Sequence, residues 1–157
     1  MPEEIKYPFS IEYQTRILAV ILRDRDFTLK YRELLKPTYF DNNTYVDLVK
    51  LVLKFCDENN VLPSRETILN KVKDYSNKGL IERLLDTVFS MDLTDSMDVE
   101  NELASFIQQQ SWRLIQPRID LAVKEKDFGK ARDLFDKNMR LEERLSNEHG
   151  EIFILIT

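Results

Sequence analysis

A chain of 157 residues, 43% hydrophobic and 32% charged, is long enough to bury a sizeable core in one domain or one domain with an appendage. With only 3 Gly and 5 Pro it has few places to turn, which favours an all-α protein and leaves little room for strands. The net charge of -5 and pI near 5.0 argue against the general phosphate affinity of a basic nucleic-acid module, and the single Cys56 excludes an internal disulfide or a multi-Cys zinc site.

Residues 1–9 read as an extended lead-in closed by Pro8, with no basic-then-apolar secretion signal, so the protein is expected in the cytoplasm, and in the host cytoplasm if phage-encoded. Nothing approaches the run of about 20 apolar residues that spans a membrane. Ser10 can cap a first helix whose apolar face is Ile11, Ile17, Leu18, Ile21 and Leu22, with Arg16, Arg23 and Asp24 opposite. A short helix follows, packing through Phe27, Leu29, Tyr31, Leu34 and Leu35 until Pro37 stops it after Lys36.

Asp41 or Asn42 then caps the most apolar helix of the chain, Tyr45 to Cys56, on which Asp47, Lys50, Lys54 and Asp57 form a thin polar stripe. It is expected to be the core helix, with Cys56 packed inside it and Asn59 and Asn60 suited to the left-handed end. Ser64 begins another capped helix through Ile68, Leu69 and Val72. The next runs from about Lys78 to Met91, burying Leu80, Ile81, Leu84, Leu85, Val88 and Phe89.

The Asp- and Ser-rich segment DLTDSMDVE reads as a joint. Beyond it, one stripe runs through Val99, Leu103, Phe106, Gln110 and Leu114, and a second through Phe128, Ala131, Leu134, Phe135, Asn138, Leu141 and Leu145, with a turn at Lys126-Asp127-Phe128-Gly129 between them. The fold class is therefore all-α: a compact head of about five helices at 1–95, a long antiparallel helical hairpin at 96–146, and a tail at 147–157. Pro117 is expected to kink or split the first arm near Gln116. Phe106, Trp112, Phe128 and Phe135 give the hairpin more apolar surface than two helices can bury between them, so it either folds back on residues 10–91 or meets another subunit. The tail run Ile152–Ile156 is β-prone and would promote aggregation if uncovered.

No catalytic constellation is visible. Gly79, Gly129 and Gly150 are isolated, no G-x-x-x-x-G-K-[ST] occurs, and His149 stands without the further ligands that zinc requires. The chain is expected not to be an enzyme, with no catalytic, cofactor-binding or metal residue. One DNA-binding feature is the segment Ser64–Asp74, where Arg65, Asn70, Lys71 and Lys73 would be the groove-facing residues of a small helical DNA-binding regulator.

The order of these elements resembles the N-terminal domain of DnaB-type replicative DNA helicases, in a phage-like branch. The resemblance rests on Glu12, Ile17, Leu18, Ile21, Leu22 and Asp24 in the first helix, then on Leu35, Pro37, Tyr39 and Phe40 ahead of the apolar helix. It continues through Pro63, Ser64, Thr67 and Ile68 after that helix, and Phe106, Gln109, Ile115, Phe128, Ala131 and Leu134 in the hairpin, so that it covers roughly residues 9–145. Thr44 and Tyr45 stand where bacterial members commonly carry a His, and the turn is K-D-F-G rather than G-D-F.

The resemblance implies a non-catalytic collar domain that pairs subunits, helps assemble the hexamer and docks primase or the helicase loader during DNA replication. DNA would be met only indirectly, with ATP and Mg used by the RecA-like motor of the parent helicase. The chain would then be an N-terminal piece of such a helicase, the product of an interrupted reading frame, or a stand-alone collar-like protein, including one that mimics the collar to inhibit a host helicase. The expected interface positions are Phe106, Gln110, Leu114, Leu134, Phe135 and Leu141.

Overall fold

A computed structural model describes residues 10–93 and 96–149, with side chains over 10–93 and 102–147. The described residues form seven α-helices and one 3-10 turn, with no strand among them. The lead-in 1–9, the apolar run Ile152–Ile156 and the side chains of Val99 and His149 lie outside what is described. The chain divides into two units, Met1–Val99 and Glu100–Thr157.

In the first unit, α1 (Ile11–Arg23) starts where the Ser10 hydroxyl accepts from Tyr13 N at 3.1 Å. Asp24 ends it and at once caps α2 (Arg25–Tyr31) through Phe27 N, so the two helices share one boundary residue. Thr28 Oγ1 donates to Ile21 O at 2.6 Å and ties α2 back onto α1. α2 stops at Tyr31, short of Lys36, and Pro37 instead opens the 3-10 turn Pro37–Tyr39. Asn42 then caps α3 (Asn43–Asn59), which ends with Asn60 in the left-handed region at φ 55°. Arg25 Nε and Arg32 Nη1 donate to Asn60 O and Asn60 Oδ1, placing two cations at the negative end of α3.

Ser64 caps α4 (Arg65–Lys71), and α5 (Lys78–Ser90) follows. Arg23 Nη1 donates to Val88 O at 3.1 Å and Met91 O at 2.6 Å, which gives the exposed carbonyls at the end of α5 a partner on α1. Burial in α5 is narrower than its apolar content: Ile81, Leu85 and Val88 are buried, Leu84 and Phe89 half-buried, and Leu80 exposed.

The centre of this unit is α1. Six consecutive residues, Ile17 to Leu22, are 0–2% exposed. Six residues exceed one full turn of 3.6, so the helix is covered on every side, with α2, α3 and α5 packed against it. Its buried Gln14 is satisfied because Oε1 accepts from Asp41 N at 3.0 Å, and Thr15 Oγ1 shares a 2.7 Å hydrogen bond with the Tyr45 hydroxyl of α3. α3 buries Tyr45, Leu48, Val49, Val52, Leu53 and Cys56 but leaves Val46, Leu51 and Phe55 half-exposed, so it is a one-sided helix beside the enclosed α1. Ile11, assigned to the apolar face of α1, is exposed at its first position.

Tyr39 is buried, and burial pushes its phenol from 10.0 up to about 12. The folded state then holds its proton at pH values where the unfolded chain releases it, so this contribution is intact below pH 10 and is lost as pH rises through about 12. Tyr39→Phe should remove that dependence. In urea titrations from just below pH 10 upward, the native chain should lose roughly 2–3 kcal/mol relative to Tyr39→Phe. Parallel decline of the two proteins would show that the phenol is not the group responsible.

Candidate functional site

The second unit contains most of α6 (Ser96–Lys124) and all of α7 (Phe128–His149). α6 runs through Pro117 as one helix rather than splitting near Gln116. A proline removes a single N–H from the ladder, and the Gln116 Nε2 to Asp120 Oδ1 bond of 3.0 Å spans the position from the side-chain layer. The helix ends in a Schellman arrangement: Asp127 N reaches Ala122 O at 2.8 Å, Lys126 N reaches Val123 O at 3.0 Å, and Lys126 sits at φ 61°. Asp127 then caps α7 by accepting from Lys130 N, so Phe128 and Gly129 belong to the first turn of α7.

Along α7 the buried residues Ala131, Leu134, Asn138 and Leu145, with half-buried Leu141 among them, alternate spacings of three and four, the period of a coiled-coil seam. α6 carries a buried row of Ala104, Ser111, Ile115 and Ala122 at spacings of seven and four. Glu142 joins the two helices: its Oε1 accepts from Gln108 Nε2 at 2.8 Å and from Trp112 Nε1 at 2.7 Å. The Trp112 and Phe135 rings meet with centroids 5.4 Å apart and planes tilted by 53°. Asn138 Nδ2 is buried with no hydrogen-bond partner among the described residues.

The Trp112–Phe135 contact puts those two edges of α6 and α7 on one side of the pair. Seven residues bring a helix back to within about 20° of the same direction, and four more keep it nearby. Trp112, Ile119 and Val123 therefore follow one another along α6, and Phe128, Phe135 and Met139 repeat the same seven-then-four spacing along α7. Trp112 and Ile119 are half-buried, while Val123, Phe128, Phe135 and Met139 are exposed, Phe128 at 61%. The result is a row of apolar side chains, about 17 Å long on α6 at 1.5 Å per residue, with Trp112 and Phe128 at diagonal corners and the exposed Gln116 and Arg132 set between its members.

The six expected interface positions do not share this face. Phe106, Gln110 and Leu134 are buried and Leu141 is half-buried. Leu114 is exposed but stands two residues, about 200°, from Trp112, so it lies on the opposite side with Leu121. Phe135, at 48% exposure, is the one member on the aromatic face. Ile119, Val123 and Met139 complete the row, and the sequence signal that groups them with Trp112, Phe128 and Phe135 is the repeated spacing of seven and four.

The alternative DNA-reading segment has other commitments. α4 has seven residues, Ile68 and Val72 are buried, Arg65 pairs with Asp86 of α5, and the Lys71 ammonium lies 5.7 Å from the Phe55 ring centroid. Cys56 is buried, and burial together with the Asp57 charge pushes its thiol up, away from the reactive thiolate. Among the described residues no group of His, Cys, Asp and Glu side chains is arranged to hold a metal ion, and no helix is long and apolar enough to cross a membrane. Comparison with family models, curated proteins and solved structures returns no match.

Proposed function

We propose that this chain is a non-catalytic assembly module, a helical head followed by an antiparallel helical hairpin, that pairs with a second copy through the aromatic face of α6 and α7. The carrying observation is that face: Val123, Phe128, Phe135 and Met139 stand exposed beside Trp112 and Ile119, with only Gln116 and Arg132 as polar residues between them. The same spacing on two helices of opposite direction gives the strip a local two-fold pattern, and self-complementary patches are what two-fold dimers bring together. Trp and Phe at its corners are the residue types that dominate binding energy when desolvated.

The finer reading is the collar of a DnaB-type replicative helicase. It is supported by the order of the motifs and by the places they occupy: Leu35, Tyr39 and Phe40 are buried around the 3-10 turn, and Pro63 is buried just before the Ser64 cap. On that reading the paired subunits dock primase or loader in the cytoplasm, and DNA, ATP and Mg are handled by a motor outside these residues. A stand-alone collar mimic would use the same face against a host helicase.

The test is the mass in solution as a function of concentration. The native chain should rise from the 18.7 kDa monomer to a dimer or a ring of dimers, and Phe128→Asp with Phe135→Asp should hold it at 18.7 kDa with unchanged helical circular dichroism. A native chain that stays monomeric throughout, or a folded double variant that still associates, defeats the assignment. Primase mixed with the native oligomer should co-elute and should be lost from the double variant; its failure alone removes the collar reading and leaves the pairing.

A further inference from the structure

The polar stripe of α3, taken by itself, is a solvated surface. In the fold it becomes one wall of a cleft of about 640 Å³, closed on the other side by the end of α4 and the turn leading into α5. That volume is in the range of ligand-binding sites, about 300–1,000 Å³. Lys50 and Lys54 stand one helical turn apart, about 6 Å along the axis, and Lys71 faces them from α4 with its ammonium over the Phe55 ring. Among the described residues no ion pair engages Lys50 or Lys54, and both are exposed. The apolar floor is Leu51, Phe55 and the exposed Tyr75.

The cleft also contains two carboxylates. Asp47 is held at one end, where its Oδ2 accepts from Asn77 Nδ2 at 3.0 Å, and Glu58 lies at the other. Three lysines against two carboxylates thus leave the cleft lining cationic in a chain whose net charge is -5.

We propose that this cleft docks an acidic segment of a partner protein, with its carboxylates on Lys50, Lys54 and Lys71 and one apolar side chain on Leu51 and Tyr75. Charge complementarity selects an anionic occupant. A peptide suits the site better than single-stranded nucleic acid. Base stacking needs open aromatic faces, and Lys71 already covers Phe55. A continuous phosphate backbone leaving the cleft would also pass the Glu58 carboxylate at its end, whereas discrete carboxylates can avoid it. The site lies wholly in the first unit and is independent of the proposed pairing through α6 and α7.

The probe is a fluorescein-labelled synthetic peptide rich in Asp and Glu with one Phe and one Leu, titrated with the full chain and followed by anisotropy at low salt. Saturable binding is expected, weakening about tenfold or more in Lys50→Gln with Lys54→Gln, and weakening further in Lys50→Glu with Lys54→Glu. Tyr75→Ala should also weaken it, and added salt should reduce it because the contacts are exposed charges. All the substituted side chains are exposed, so circular dichroism should not change. No saturable binding by the native chain, or binding indifferent to both lysine pairs in folded protein, overturns the proposal. So does a labelled oligodeoxynucleotide of equal charge that binds more tightly and displaces the peptide. The same titration on Phe128→Asp with Phe135→Asp should give an unchanged affinity, which separates this cleft from the pairing face.

Discussion

Leu18→Ala is expected to lower the unfolding free energy of the first unit by about 4 kcal/mol, whereas Leu51→Ala should cost under about 1.5 kcal/mol. The two leucines sit on the two helices that could each be the centre of the first unit. Leu18 is fully buried within the six enclosed residues of α1, so its removal leaves a cavity that surrounding helices can only partly close. Leu51 is half-exposed on the floor of the cleft, so water occupies the space it leaves. Native domains are stable by only about 5–15 kcal/mol, so the first change should move the urea midpoint far and the second little. Equal losses would mean that α3, not α1, carries the core.

That contrast follows from what periodicity can and cannot encode. A helix buried on one side announces itself by a polar stripe, and α3 has one in Asp47, Lys50, Lys54 and Asp57. α1 also looks one-sided, because Arg16, Arg23 and Asp24 are polar, yet the run from Ile17 to Leu22 contains no polar residue and is the part that becomes enclosed. Local chemistry was easier to read. Ser10, Asn42 and Ser64 cap their helices because the side-chain acceptor and its backbone donor are two or three residues apart, and Asn60 ends α3 for an equally local reason.

Tertiary context decided the rest. Ile11 and Leu80 have the helical period of core residues but sit in the first turns of α1 and α5, where they remain exposed. The left-handed residue between α6 and α7 is Lys126, while Gly129 is helical, since the Schellman bonds fix the end of α6 without requiring a glycine. On α7, Leu134 and Phe135 are adjacent apolar residues that fit the same broad stripe. Which one turns inward depends on where α6 lies, and that is set by the Trp112–Phe135 and Glu142 contacts rather than by the spacing alone.

Leu134→Asp and Phe135→Asp should therefore have opposite outcomes although they are neighbours. At 8% exposure, Leu134 offers a carboxylate little water, and no Lys or Arg is buried among the described residues, so the charge should cost about 4 kcal/mol or more and open the α6–α7 unit. At 48% exposure, Phe135 gives an Asp access to solvent, and the loss is the ring contact with Trp112, about 0.5–1.5 kcal/mol. Amide hydrogen exchange should show fast exchange along α6 and α7 in Leu134→Asp and near-native protection in Phe135→Asp. The reverse pattern would put Phe135 in the seam, and loss of association in a Phe135 variant would then report unfolding rather than a broken interface. Phe128→Asp keeps the two explanations apart: it lies on the same face, two helical turns from Phe135, and is among neither the buried row nor the ring pair. If Phe128→Asp alone weakens association while exchange protection is native, the aromatic face pairs subunits whatever the cost of changing Phe135.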